Sequence, residues 1–158
     1  MNIVKNAGAL LVAVAASVAF SGVASANELL VTPAQSKSGS PSIALDIVSD
    51  GDVSGFQFAL DFGNTKIAKA DVSRCLSELP SSFAGKCQQV GSKIYVIAMA
   101  NQMTTLPAGI VPVGSITVST PALSRAAVQS KAKTFKITEM EFVDVKGNVL
   151  QTQSKISE

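Results

Sequence analysis

The sequence has no histidine, no tryptophan, one tyrosine, two cysteines and only 15% charged residues over 158 positions. Each shortage excludes something. Without histidine, neither a Ser-His-Asp nor a Cys-His arrangement can be built, and the commonest general base and metal ligand is missing. Without tryptophan, and with Tyr95 as the single tyrosine, a flat face lacks the row of rings that a crystalline polysaccharide stacks on. Hydrogen-bonded recognition of a single glycan chain stays open. Lys and Arg number 13 against 11 Asp and Glu, so no basic excess exists to neutralise a nucleic-acid backbone. No glycine-rich phosphate loop is present.

The chain opens with a leader. Lys5 supplies a positive start, an apolar run covers residues 7–20 with Ser17 interrupting it, and Ala24-Ser25-Ala26 is a small-residue cleavage site. Together these read as a secretory signal peptide over residues 1–26, cut after Ala26. The run is short and alanine-rich for a stable span, so no membrane span is expected after cleavage. Residues 27–158 then form a single domain with a full core. Export places the chain at the cell surface, outside the cell or in the periplasm. In such an oxidising compartment Cys75 and Cys87 are expected to form a disulfide. Their spacing is not that of a Cys-x-x-Cys redox or metal motif. Closing so short a loop stabilises by about 3 kcal/mol in the chain-entropy model.

The central segment is Gly55-Phe56-Gln57-Phe58-Ala59-Leu60-Asp61-Phe62. Alternate residues of a strand share a face, so Phe56, Phe58, Leu60 and Phe62 point one way. Burying each is worth about 1.5–3 kcal/mol. Other strands are expected at residues 28–32, ended by Pro33, and at 41–48, with Ile43, Leu45 and Ile47 on one face. Further strands are expected at 67–72, 93–99, 113–119 and 133–145. Residues 94–99 are apolar throughout and read as an inner strand covered on both faces, with Tyr95 a core residue whose hydroxyl reaches the rim. A change of face near Glu139 predicts a bulge. Residues 74–89 lack periodicity and read as an irregular excursion pinned by the disulfide. Residues 121–130 could make one helical turn. Residues 144–148 are a turn, with 149–152 closing a last hairpin. Many short strands separated by turn residues point to an all-β sandwich.

Little in the chain points to chemistry. Asp50-Gly51-Asp52 has the composition of a turn and lacks the further oxygen ligands of a calcium loop. Glu139 and Glu141 sit on the solvent side of a strand. Lys131, Lys133 and Lys136, near Arg125, read as a solvated strand edge. The expectation is no catalysis, no metal and no cofactor.

Three stretches carry a resemblance. Gly55-Phe56-Gln57-Phe58-Ala59-Leu60-Asp61-Phe62 is similar to the Gly-Phe-x-Phe-x-Leu-x-Tyr strand of the cohesin domain family. Residues 94–100, followed by Leu106-Pro107-Ala108-Gly109 and Val113-Gly114-Ser115-Ile116-Thr117-Val118, resemble its later strand, loop and strand. Phe142-Val143-Asp144-Val145-Lys146-Gly147-Asn148-Val149 resembles its closing hairpin. The resemblance implies a cohesin-like jelly-roll β-sandwich of about nine strands. It also implies a sheet face that binds a protein partner, a dockerin-like module, in polysaccharide degradation or cell-surface assembly. The corresponding outward positions are Gly55, Gln57, Ala59 and Asp61. A carbohydrate-binding module and a self-associating matrix protein are the alternative readings.

Overall fold

The computed structural model describes residues 26–35, 41–63, 69–119 and 135–157. The expected leader, apart from Ala26, lies outside the described residues. So do the expected helical turn within 121–130, Arg125, Lys131 and Lys133.

The phenylalanine-rich segment forms β3 (Gly55–Asp61), and Phe56, Phe58, Leu60 and the following Phe62 are all buried as the alternation requires. Antiparallel neighbours flank it: β6 (Lys93–Ala100) and β8 (Lys136–Val143). Beyond β6 lies β5 (Phe83–Val90), giving a four-stranded sheet in the order β5-β6-β3-β8. The second sheet has the order β4-β7-β2-β1-β9, built from β1 (Asn27–Gln35), β2 (Pro41–Ser49), β4 (Lys69–Asp71), β7 (Gly109–Ser119) and β9 (Thr152–Ile156). The described residues thus fold as an all-β sandwich of nine strands, as the sequence predicts.

Alternating side chains of both sheets meet in the core. Leu29, Val31, Ile43, Leu45, Ile47, Val113 and Ile116 come from one sheet, and Phe56, Phe58, Leu60, Ile94, Val96 and Phe142 from the other. Phe56 contacts its register partner Phe142 with ring centroids 5.9 Å apart, tilted at 54°, a favourable aromatic geometry. Phe62 and Phe135 make a second ring pair at 5.4 Å.

Several boundaries differ from the sequence reading. β1 runs through Pro33 to Gln35. Its pairing with β9 ends at Val31, so at Pro33 the strand has a neighbour on one side and a missing N–H can be tolerated. Pro112 likewise falls inside β7, next to the register shift opposite Leu45 and Asp46. Residues 83–90, expected to be irregular, are the edge strand β5. Residues 149–152 close the expected hairpin only at its start: Val149 bridges Val143 antiparallel, Asp144 N donates to Asn148 O at 3.0 Å and Leu150 N donates to Phe142 O at 2.8 Å. The chain then crosses to the other sheet, where β9 pairs in parallel with β1.

The bulge expected near Glu139 is present. The β3–β8 register shifts between Gln57 and Ala59, and Glu139 takes a φ of 53°.

Cys75 and Cys87 are bonded, with Cα atoms 6.5 Å apart. Cys75 belongs to a turn segment that extends the edge of β7: Ser115 N donates to Arg74 O at 2.9 Å and Glu78 N donates to Val113 O at 3.1 Å. Cys87 lies on β5, so the bond staples one sheet to the other. Gly114 is required here. A Cβ on it would sit 2.6 Å from the Cys75 carbonyl oxygen and collide with that of Arg74.

Candidate functional site

In an antiparallel sheet, residues opposite one another share a face. The registers of the β5-β6-β3-β8 sheet therefore give four rows on its outer face. They run Ala84-Met99-Gly55-Val143, Lys86-Ile97-Gln57-Glu141, Gln88-Tyr95-Ala59-Thr138 and Val90-Lys93-Asp61-Lys136. None of the other described strands covers this face.

The four positions expected to face a partner lie along the middle of these rows, and the structure separates them. Gln57 is exposed and Asp61 is half-buried. Gly55 and Ala59 are buried beneath their neighbours. A Cβ on Gly55 would lie 3.1 Å from Val143 Cγ2 and 3.3 Å from Met99 Cγ. Gly55 and Ala59 thus set the depth of the face, while Gln57 and Asp61 present polar groups on it.

The residues that dominate the surface lie one strand over, on β6. Ile97 is 45% exposed and Met99 59%, with Tyr95 half-buried beside them. This corrects the expectation that the β6 run is covered on both faces. Ile94, Val96 and Ala98 fill the core; Tyr95, Ile97 and Met99 do not. The sequence shows a strand apolar on both sides, and that pattern alone does not say which side the rest of the chain covers.

The far end of the face is charged and pre-set. Lys93 Nζ donates to Glu139 Oε1 at 2.8 Å and lies 3.9 Å from Asp61 Oδ2. Because β6 and β8 are separated by β3, this bond bridges over the central strand. The positive-φ bulge at Glu139 turns its carboxylate toward Lys93. The hydrogen bond that Lys93 donates to Glu139 holds its amine above the usual range, aided by the charge of Glu139 and by Tyr95 and Asp61. Lys86 and Glu141 mark the two side rims at the middle row. An apolar strip with a charged margin is the anatomy of a protein-binding surface.

The outer face of the other sheet differs. Ile110 stands out at 70% exposure. Half-buried Asp46 has its carboxyl pushed up by burial and by the nearby charge of Glu78. Asp50 and Asp52 are engaged with Asn27, and no three His, Cys, Asp or Glu side chains converge as a metal site among the described residues. No described helix is long and apolar enough to cross a membrane.

No protein-family model and no curated protein matches the chain. Solved structures do. A non-cellulosomal cohesin from the archaeon Archaeoglobus fulgidus matches with a TM-score of 0.53 and 12% identity, over 85% of this chain and 93% of its own. A type II cohesin from Bacteroides cellulosolvens matches with a TM-score of 0.52 and 10% identity, over 81% and 95%. The type I cohesin–dockerin complex from Clostridium thermocellum matches with a TM-score of 0.51 and 13% identity, over 82% and 89%. The fold is that of the cohesin domains.

Proposed function

We propose that this chain is an exported, non-catalytic protein-binding module of the cohesin kind. It receives a dockerin-like partner on the outer face of the β5-β6-β3-β8 sheet, within a polysaccharide-degrading or cell-surface assembly. The observation that carries the reading is the strip Tyr95-Ile97-Met99, with Ile97 and Met99 exposed and Tyr95 half-buried, uncovered by any other described strand and bordered by Lys86, Gln57, Glu141 and the Lys93–Glu139 pair. A rigid sheet loses little ordering entropy on binding, so a modest apolar strip can hold a partner. A structural relative from Clostridium thermocellum, solved with its dockerin, supports this class of partner. The leader pattern and the closed Cys75–Cys87 bond support export.

The test is titration of the folded chain with a panel of calcium-loaded dockerin modules. At least one should bind at about micromolar affinity or tighter. Ile97→Lys should weaken that binding at least about tenfold, as loss of an apolar anchor does. Ile110→Lys, on the opposite face, should leave it unchanged. Indifference to Ile97→Lys would overturn the assignment of the face, and failure of the whole panel would overturn the class of partner.

A further inference from the structure

The methionines fall into distinct environments. Met140, on β8, packs against the core. Met99, on the outer face of β6, and Met103, in the loop that follows β6, stand in solvent at 59% and 82% exposure. Met99 is also seated in a particular place. Gly55 leaves a space above β3, and the Met99 stem comes close enough that a Cβ there would be 3.3 Å from its Cγ, with Val143 on the other side. Met99 and Val143 thus flank Gly55 from either side and complete the apolar end of the face. Among the large apolar side chains of that face it is the most exposed.

We infer that Met99 is an oxidation site at which a peroxide switches this face from apolar to polar. A thioether lone pair attacks one oxygen of hydrogen peroxide. The S–O bond forms as the O–O bond breaks, and the departing hydroxide takes the remaining proton and leaves as water. Sulfur loses two electrons and the peroxide gains them, giving methionine sulfoxide. The new oxygen is a strong acceptor at the end of the strip. A partner that presents apolar atoms there would leave it unpaired, so affinity falls. The fold is spared, because the core side of the same strand is made by Ile94, Val96 and Ala98. The consequence for a partner rests on the reading of the face given above; the chemistry at Met99 does not.

The experiment exposes the folded chain to hydrogen peroxide and follows each methionine by peptide mass spectrometry. Met99 and Met103 should gain oxygen at least about ten times faster than Met140, as exposure dictates. The oxidised protein should keep its melting temperature and elute earlier in hydrophobic-interaction chromatography. Met103→Leu, which removes the other exposed thioether, should retain part of that elution shift, and adding Met99→Leu to it should abolish what remains. Binding to a dockerin that recognises the untreated chain should weaken at least about tenfold on oxidation and resist peroxide in Met99→Leu. Equal rates at Met99 and Met140, or an elution shift in Met103→Leu that the added Met99→Leu leaves intact, would overturn the proposal whatever the partner proves to be. Unchanged dockerin affinity after complete Met99 oxidation would overturn the switch. If no dockerin binds but the rates and elution behave as stated, the partner assignment fails and the oxidation site stands.

Discussion

Asn27 Nδ2 donates a 3.0 Å hydrogen bond to Asp52 Oδ1, and Asn27 Oδ1 accepts a 2.9 Å hydrogen bond from the Asp50 backbone N–H. The Asn27 side chain, almost wholly buried, thereby ties the first residue of β1 to the β2–β3 turn. Asn27→Ala removes both bonds and leaves the Asp50 N–H without this acceptor. A loss of about 1–3 kcal/mol in urea denaturation is expected. Asn27→Asp, which sets a second carboxylate against Asp52, should cost more at neutral pH than the alanine variant does.

The disulfide lends itself to a double substitution. Replacing Cys75 and Cys87 together by alanine frees the turn segment from β5 while leaving its two hydrogen bonds to β7. Stability should fall by about 3 kcal/mol, and β-sheet circular dichroism should be retained. Reduction of the native chain under mild denaturant should give a similar loss.

Two glycines separate close packing from turn conformation. Gly114→Ala forces a Cβ into the carbonyl groups of Arg74 and Cys75. That backbone must move, so a loss of about 2 kcal/mol or more is expected. Gly63 has a φ of 58° but nothing within 4 Å of a built Cβ. Gly63→Ala should therefore cost only the left-handed backbone penalty, about 1 kcal/mol. Thermal melts of the two variants should rank accordingly.

Asp46 predicts a pH dependence. Its carboxyl is raised by burial and by repulsion from Glu78, so the folded chain binds this proton more tightly than the unfolded chain does. The favourable contribution is fully present below the ordinary aspartate range and is lost as pH rises through the raised value. At neutral pH the ionised group opposes folding. Asp46→Asn should therefore be more stable than the parent at pH 7, and the difference should shrink as pH approaches about 3. Denaturation midpoints across that window check the sign.

The strands legible in the sequence were those that bury one face. β3 and β2 alternate because one side of each meets the core, and Phe56-Phe58-Leu60 and Ile43-Leu45-Ile47 record it. β5 and β9 left no such trace. Residues 83–90 and 152–156 lie at sheet edges with most side chains in water, so backbone pairing rather than side-chain burial defines them. The candidate site was half legible. Parity put Gln57 and Asp61 on the outer face, but it could not say that Met99 and Val143 close over Gly55, because that depends on neighbours distant in sequence. The β6 run was ambiguous for a different reason. Periodicity cannot tell a face covered by the chain itself from one left bare.

The parallel pairing of β1 with β9 also governs how the domain would carry a load. Parallel neighbours start at the same end of the sandwich, so the beginning of β1 and the finish of β9 lie at opposite ends. Tension applied at Asn27 and Ile156 would slide the two strands along each other, straining the rungs from Asn27↔Thr152 to Val31↔Ile156 all at once. An antiparallel closing hairpin would have peeled apart one rung at a time.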